Sequence, residues 1–151
     1  MSTSGIQLED FLKGKRIALA GTSRNPKKFG YMAFKNLKDK GYNIVPINPN
    51  TDKIDDVDCY KSVSDLPPDI ESLLIMTPKT NSDQTLREAI QKGIKNIWVQ
   101  QMSETKETLK IAEEYQREII SKKCIFMFTE PVSGVHKFHR ALLKLFNRLD
   151  T

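Results

Sequence analysis

Between Gly21 and Gly30 the chain carries two hydroxyls, Thr22 and Ser23, and three cations, Arg24, Lys27 and Lys28. These residues follow directly on the apolar run Arg16–Ala20, and Phe29, Gly30 and Tyr31 open a stretch of helical periodicity. A strand that ends in glycine and hands over to a helix presents backbone N–H groups outward, where the helix dipole favours an anion. Hydroxyls, N–H groups and cations together suit a pyrophosphate. Gly30, in the first helical turn, would let a phosphate or sugar approach the backbone closely. The expectation is a nucleotide-containing ligand held at this turn.

Several better-known chemistries lack their residues. A dinucleotide fingerprint needs three glycines in close succession, but Gly21 is followed by Thr22 and Ser23. The second strand ends in Asn48-Pro49 rather than in an acid that would hold an adenosine ribose. No Gly-Lys-Ser or Gly-Lys-Thr follows the first strand, so ATP hydrolysis is unsupported. Asp52, Asp55, Asp56 and Asp58 crowd together without the glycine and final glutamate of an EF-hand loop. His136 and His139, the only histidines, share roughly one helical face but have no third ligand or carboxylate in their motif. Cys59 and Cys124 have no adjoining base. No catalytic constellation and no metal site emerge.

The elements that must position the loop alternate. Strands are expected at Arg16–Ala20, Asn43–Ile47, Leu73–Met76, Asn96–Gln100 and Cys124–Phe128, with a brief one near Asp58–Tyr60. Helices are expected after the loop as far as Gly41, from about Ser82 to Lys92, and from a Ser103 cap through Ile120. A short helical turn is expected at Ser62–Leu66. Short apolar strands alternating with helices imply an α/β fold: a three-layer, Rossmann-like, doubly wound, mainly parallel sheet of five or more strands. No linker, repeat or low-complexity tract interrupts residues 1–151, so one domain is expected. A short helix within residues 1–14 precedes it, and an amphipathic helix over residues 133–150 follows. The apolar stripe of that last helix (Val135, Phe138, Leu142, Leu145, Phe146, Leu149) would cover the domain's own sheet, with a homodimer contact second. Ligands of such sheets lie at the carboxyl ends of the strands. Those ends are Gly21–Gly30, Asn48–Asn50, Thr77–Lys79 and Gln100–Met102, and they should converge on one crevice.

The bulk properties narrow the partners. A chain of 151 residues with a net charge of +5 can bury a core without disulfides or metal. Basic residues are not interleaved with aromatics, so a small-molecule nucleotide ligand is expected and nucleic acid is not. No apolar run reaches the roughly 20 residues of a membrane span. The N-terminus lacks the pattern of a signal peptide and the cysteines lie far apart, which makes the cytoplasm the expected compartment.

The segment Ile17-Ala-Leu-Ala-Gly-Thr-Ser-Arg-Asn-Pro-Lys-Lys-Phe-Gly-Tyr31 resembles the opening of the small single-domain CoA-binding proteins. That family is similar to the N-terminal CoA-binding domain of the succinyl-CoA synthetase alpha subunit. Gly41-Tyr-Asn-Ile-Val-Pro-Ile-Asn-Pro49, Cys59-Tyr60, Ser64-Asp-Leu-Pro67 and Trp98-Val-Gln100 add to the resemblance, which covers roughly Lys15 to Phe128. It implies a Rossmann-like fold with coenzyme A, or an acyl-CoA, in the crevice. By position, Gly21, Thr22, Ser23, Arg24 and Asn25, with Gly30, would take the phosphates, and Lys28, Phe29 and Tyr31 would belong to the same binding site. Asn48 and Pro49 would lie near the adenosine end, and Thr77 and Pro78 would wall the crevice. Many relatives carry a lysine directly after the Asn-Pro pair. Here that position is Asn50, and Lys53 is the candidate replacement at the 3′-phosphate. The synthetase's phosphorylated histidine lies in a second domain, and no counterpart of that domain is expected within residues 1–151.

The leading expectation is therefore a CoA-binding module without catalytic machinery of its own. The alternatives are an enzyme, or enzyme subunit, acting on a CoA thioester and, behind it, an NADP-binding domain.

Overall fold

A computed structural model of the chain describes residues 5–13 and 16–129. Five strands form the main sheet: β1 (Ile17–Ala20), β2 (Ile44–Ile47), β5 (Ser72–Ile75), β6 (Asn96–Gln100) and β7 (Ile120–Lys123). Their order is β2-β1-β5-β6-β7, and every neighbouring pair is parallel. Chain direction across the sheet reverses between β1 and β5, which makes their carboxyl ends the switch point of an open α/β sheet. A small antiparallel hairpin, β3 (Lys53–Ile54) with β4 (Val57–Asp58), stands apart from it.

Alternate residues of each strand serve opposite faces, and both faces are dry. Ala18, Val45, Leu73, Ile97 and Val99 pack against α3 (Lys79–Lys92) and α4 (Lys106–Glu114), through Leu86, Ala89, Ile111 and Ala112. Ile17, Leu19, Ile44, Leu74 and Trp98 pack on the other side against α1 (Gly5–Leu12) and α2 (Phe29–Asp39), through Phe11, Ala33, Phe34 and Leu37. Burial on both faces explains why the central strands read as continuous apolar runs. Phe11 meets Trp98 edge-on, with ring centroids 5.2 Å apart. Full burial of such a ring contributes roughly 1.5–3 kcal/mol and ties α1 to the sheet.

The expected layered α/β architecture is present, and several element boundaries are corrected. The helix expected from Ser103 to Ile120 spans only Lys106–Glu114. Its cap is Thr105, whose hydroxyl accepts from the Thr108 N–H at 2.9 Å and donates to Asp83 at 2.8 Å. It ends in a Schellman motif: Gln116 N–H donates to the Glu113 carbonyl and Arg117 N–H to that of Ala112, with Gln116 at φ 53°. The early stop frees Ile120–Lys123 to form β7. The stretch expected as a last strand, Cys124–Phe128, instead holds a 3-10 turn at Ile125–Met127. α3 begins at Lys79 rather than near Ser82, because Pro78 at the N-cap pre-sets the backbone for helix entry. The histidines and the helix expected over residues 133–150 lie outside the described residues.

Candidate functional site

β1, β5 and β6 deliver their carboxyl ends to one end of the sheet, and two adjoining clefts open there. The first, of about 710 Å³, is walled by the loop after β1, the start of α2, and the ends of β5 and β6. Gly21, Ser23, Lys28, Phe29 and Gly30 line one side, and Thr77, Pro78, Lys79 and Met102 line the other. Both α2 and α3 begin here, and neither N-terminus has a side-chain cap. The leading N–H groups of a helix have no intrahelical acceptor, and the dipole adds partial positive charge at that end. Lys28 and Lys79 contribute whole charges, and no carboxylate is among the described residues lining this cleft. The arrangement is fitted to an anion.

The second cleft, of about 550 Å³, shares Gly21, Ser23, Thr77 and Pro78 with the first. It extends past the end of β2 and along α3. Asn48, Pro49 and Asn50 line it from the β2 side, with Asn81, Gln84 and Thr85 from α3. Amides and hydroxyls give it a polar character, whereas Phe29, Met76 and Met102 make part of the first cleft apolar.

Close backbone packing builds the loop. Gly21 adopts φ 94°, and a Cβ on it would lie 2.6 Å from the Met76 carbonyl carbon. A Cβ on Gly30 would fall on the carbonyl oxygen of Gly21 and lie 3.2 Å from the Ser23 nitrogen. The space that a side chain at Gly30 would need is thus filled by the chain itself, while Gly30 still lines the cleft. The loop also braces itself. Ser23 Oγ accepts from the Asn25 N–H at 3.0 Å, and Asn25 Oδ1 accepts from the Lys27 N–H at 3.0 Å.

Of the residues singled out by sequence, Gly21, Thr22, Ser23, Lys28, Phe29, Gly30, Asn48, Pro49, Thr77 and Pro78 line one or both clefts. Some of their polar atoms are already engaged. The buried Thr22 hydroxyl donates to the Leu19 carbonyl at 2.8 Å, so it closes the strand end rather than facing the cleft. The Asn48 amide donates to the Thr22 carbonyl at 2.9 Å and its Oδ1 accepts from the Asn50 N–H at 2.7 Å, joining the two loops. Thr77 Oγ1 lies 2.8 Å from Ser82 Oγ.

Arg24, Asn25, Tyr31 and Lys53 do not line either cleft. Arg24 lies over the Asn48–Asn50 turn, with its guanidinium 3.5 Å from the Asn50 carbonyl oxygen. The Tyr31 hydroxyl donates to the Asp55 carboxylate at 3.0 Å, and this bond raises the phenol's pKa. Lys53 Nζ stands 3.9 Å from Asp58 across the β3–β4 hairpin. Sequence reasoning placed Lys79 at the crevice without counting it among the ligand contacts, and passed over Met76, Lys61 and the polar first turns of α3. Pro78 was the available signal: a helix entered at proline puts the next residues at the strand ends.

Burial pushes both Cys59 and Cys124 above the ordinary thiol range, and the hydrogen bonds around them offset this only in part. Cys124 Sγ accepts from the buried Gln100 amide at 3.1 Å, while Gln100 Oε1 accepts from the Ile125 N–H at 3.0 Å. Among the described residues there is no group of three or more metal-ligating side chains. No helix among them is long and apolar enough to cross a membrane.

Known proteins share this sequence and fold. The acetate–CoA ligase (ADP-forming) II alpha subunit of Pyrococcus furiosus is 34% identical over 129 residues, or 78% of this chain and 28% of that subunit. An uncharacterized Bacillus subtilis protein, YneT, is 26% identical over 123 residues, or 81% of this chain and 91% of its own length. A solved structure of a conserved hypothetical protein from Pyrococcus furiosus has 36% identity and a TM-score of 0.70, over 74% of this chain and 96% of that one. The chain thus spans less than a third of the ligase subunit and nearly all of the small protein. The CoA binding domain family matches residues 15–130, and the chain belongs to it.

Proposed function

We propose that this protein binds coenzyme A, or an acyl-CoA, across the two clefts, without catalytic machinery of its own. The convergence of two helix N-termini without side-chain caps on a lysine-lined cleft carries this reading. Such a place stabilises a pyrophosphate through backbone N–H groups and the helix dipoles. The diphosphate sits at the shared residues Gly21, Ser23, Thr77 and Pro78, with Lys28 and Lys79 beside it. The partly apolar cleft beside Phe29, Met76 and Met102 takes the pantetheine arm. The polar cleft beside Asn48 and Pro49 takes the adenosine.

Titration calorimetry with CoA, and with NAD as the contrast, tests the proposal. Saturable binding of CoA in preference to NAD is expected. Failure to bind CoA at millimolar concentration overturns it. Native mass spectrometry of protein purified from cells gives a second readout, since a retained ligand identifies itself by mass.

A second reading is a part in an enzyme acting on a CoA thioester. The likeness to one portion of the acetate–CoA ligase alpha subunit favours it. It predicts acyl-CoA turnover once a complementary subunit is supplied, and none from the isolated chain.

A further inference from the structure

We infer that Lys61 recognises the phosphate on the 3′-hydroxyl of the CoA ribose, an inference that rests on the CoA reading above. The chain path brings this residue to the site. After β4, Tyr60 forms a parallel bridge with Ile47, the last residue of β2. Tyr60 N–H donates to the Pro46 carbonyl at 3.0 Å, and Asn48 N–H donates to the Tyr60 carbonyl at 2.9 Å. This clamp fixes the register, so Lys61 emerges at the same edge of the sheet as Asn48, Pro49 and Asn50. There it lines the polar cleft and is the one cation among that cleft's described lining residues.

Polarity sets the direction of the ligand. With the diphosphate at the residues common to both clefts, adenosine suits the side with Asn81, Gln84 and Thr85, and pantetheine suits the side with Phe29 and Met102. The ribose then lies in the cleft that Lys61 enters. Lys61 Nζ is 3.0 Å from Asp52 Oδ1, and both side chains are largely exposed at 51% and 89%. Exposed ion pairs contribute little, so a phosphate dianion can compete for the ammonium. Lys53, the cation favoured by sequence position, instead lies on the hairpin beside Asp58 and outside the cleft.

The affinities of CoA and of dephospho-CoA, which differ only in this phosphate, test the assignment in the wild type, Lys61→Gln and Lys53→Gln. The wild type should prefer CoA by about tenfold, the scale of one charge-assisted contact. Lys61→Gln should lose most of that preference by weakening CoA alone, while Lys53→Gln keeps it. Thermal melts should coincide for all three proteins. Retention of the preference by Lys61→Gln overturns the inference, as does equal weakening of both ligands. A wild type that binds both ligands equally also overturns it and leaves the CoA reading standing. A wild type that binds neither overturns both.

Discussion

The carbonyl oxygen of Gly21 occupies the space that a side chain at Gly30 would need. Gly21 in turn presses on the backbone at Met76 and Thr77. The end of β1, the start of α2 and the end of β5 therefore meet main chain to main chain. This contact sets how far apart the α2 and α3 N-termini stand, and hence the width of the anion cleft.

Gly30→Ala should be costly for this reason. The new methyl group meets backbone rather than a side chain that could rotate away. A loss of about 1–3 kcal/mol, typical of overpacking, is expected in urea unfolding. Binding of CoA should weaken with it, because α2 must shift.

Lys28→Gln and Lys79→Gln should move stability and affinity in opposite directions. Both lysines are exposed at the positive ends of helices, where a cation opposes the dipole. Their removal should leave folding unchanged or stabilise it by about 0.3–1 kcal/mol. Affinity for CoA should fall by about three- to tenfold each, and less in high salt, as calorimetry at two ionic strengths would record.

The thiols should be slow to alkylate. A pKa raised by burial leaves less thiolate at any given pH, so iodoacetamide should modify Cys59 and Cys124 more slowly in the native than in the urea-unfolded protein. The linkage has the same sign. With folded values above the unfolded ones, the thiols' contribution to stability is complete below the ordinary thiol range, about pH 8.5, and declines as pH rises through the folded values. Mass-resolved alkylation against pH checks the first statement, and chemical unfolding against pH checks the second.

Thr105→Ala should cost about 1–2 kcal/mol by removing the cap of α4. It also takes one of the two threonine hydroxyls from Asp83, leaving the Thr108 bond at 2.7 Å. Thermal unfolding reads the effect directly.

The parts legible in sequence were those with strong local signals. Ile17–Ala20 and Leu73–Ile75 are runs of buried aliphatics, and Gly41 and Gly93 mark the ends of α2 and α3 by their type. The end of α4 carried no such mark, since Gln116 takes the left-handed position usually given to glycine. β7 was hidden because Ser121, Lys122 and Lys123 read as polar surface, and its pairing with β6 shifts register between Trp98 and Gln100. Ile125–Met127 looked like a strand because it is apolar, yet it packs as a turn, with Phe126 edge-on to Phe29 at 6.0 Å. At the site, residue types were legible but not their engagements. Nothing local says that the Thr22 hydroxyl is spent on Leu19, or that Lys61 rather than Lys53 reaches the cleft.

The β1–α2 loop, pinned at Gly21 and Gly30, is in effect a closed ring whose crown at Arg24–Lys27 lies outside both clefts. Lengthening a loop that is already closed costs little, about 0.6 kcal/mol for each doubling. An insertion at the crown would therefore leave the protein folded while parting Arg24 from the Asn50 carbonyl that it now reaches. Ring length thus offers a way to move the charge of the crown without disturbing the main-chain contacts of Gly21 and Gly30.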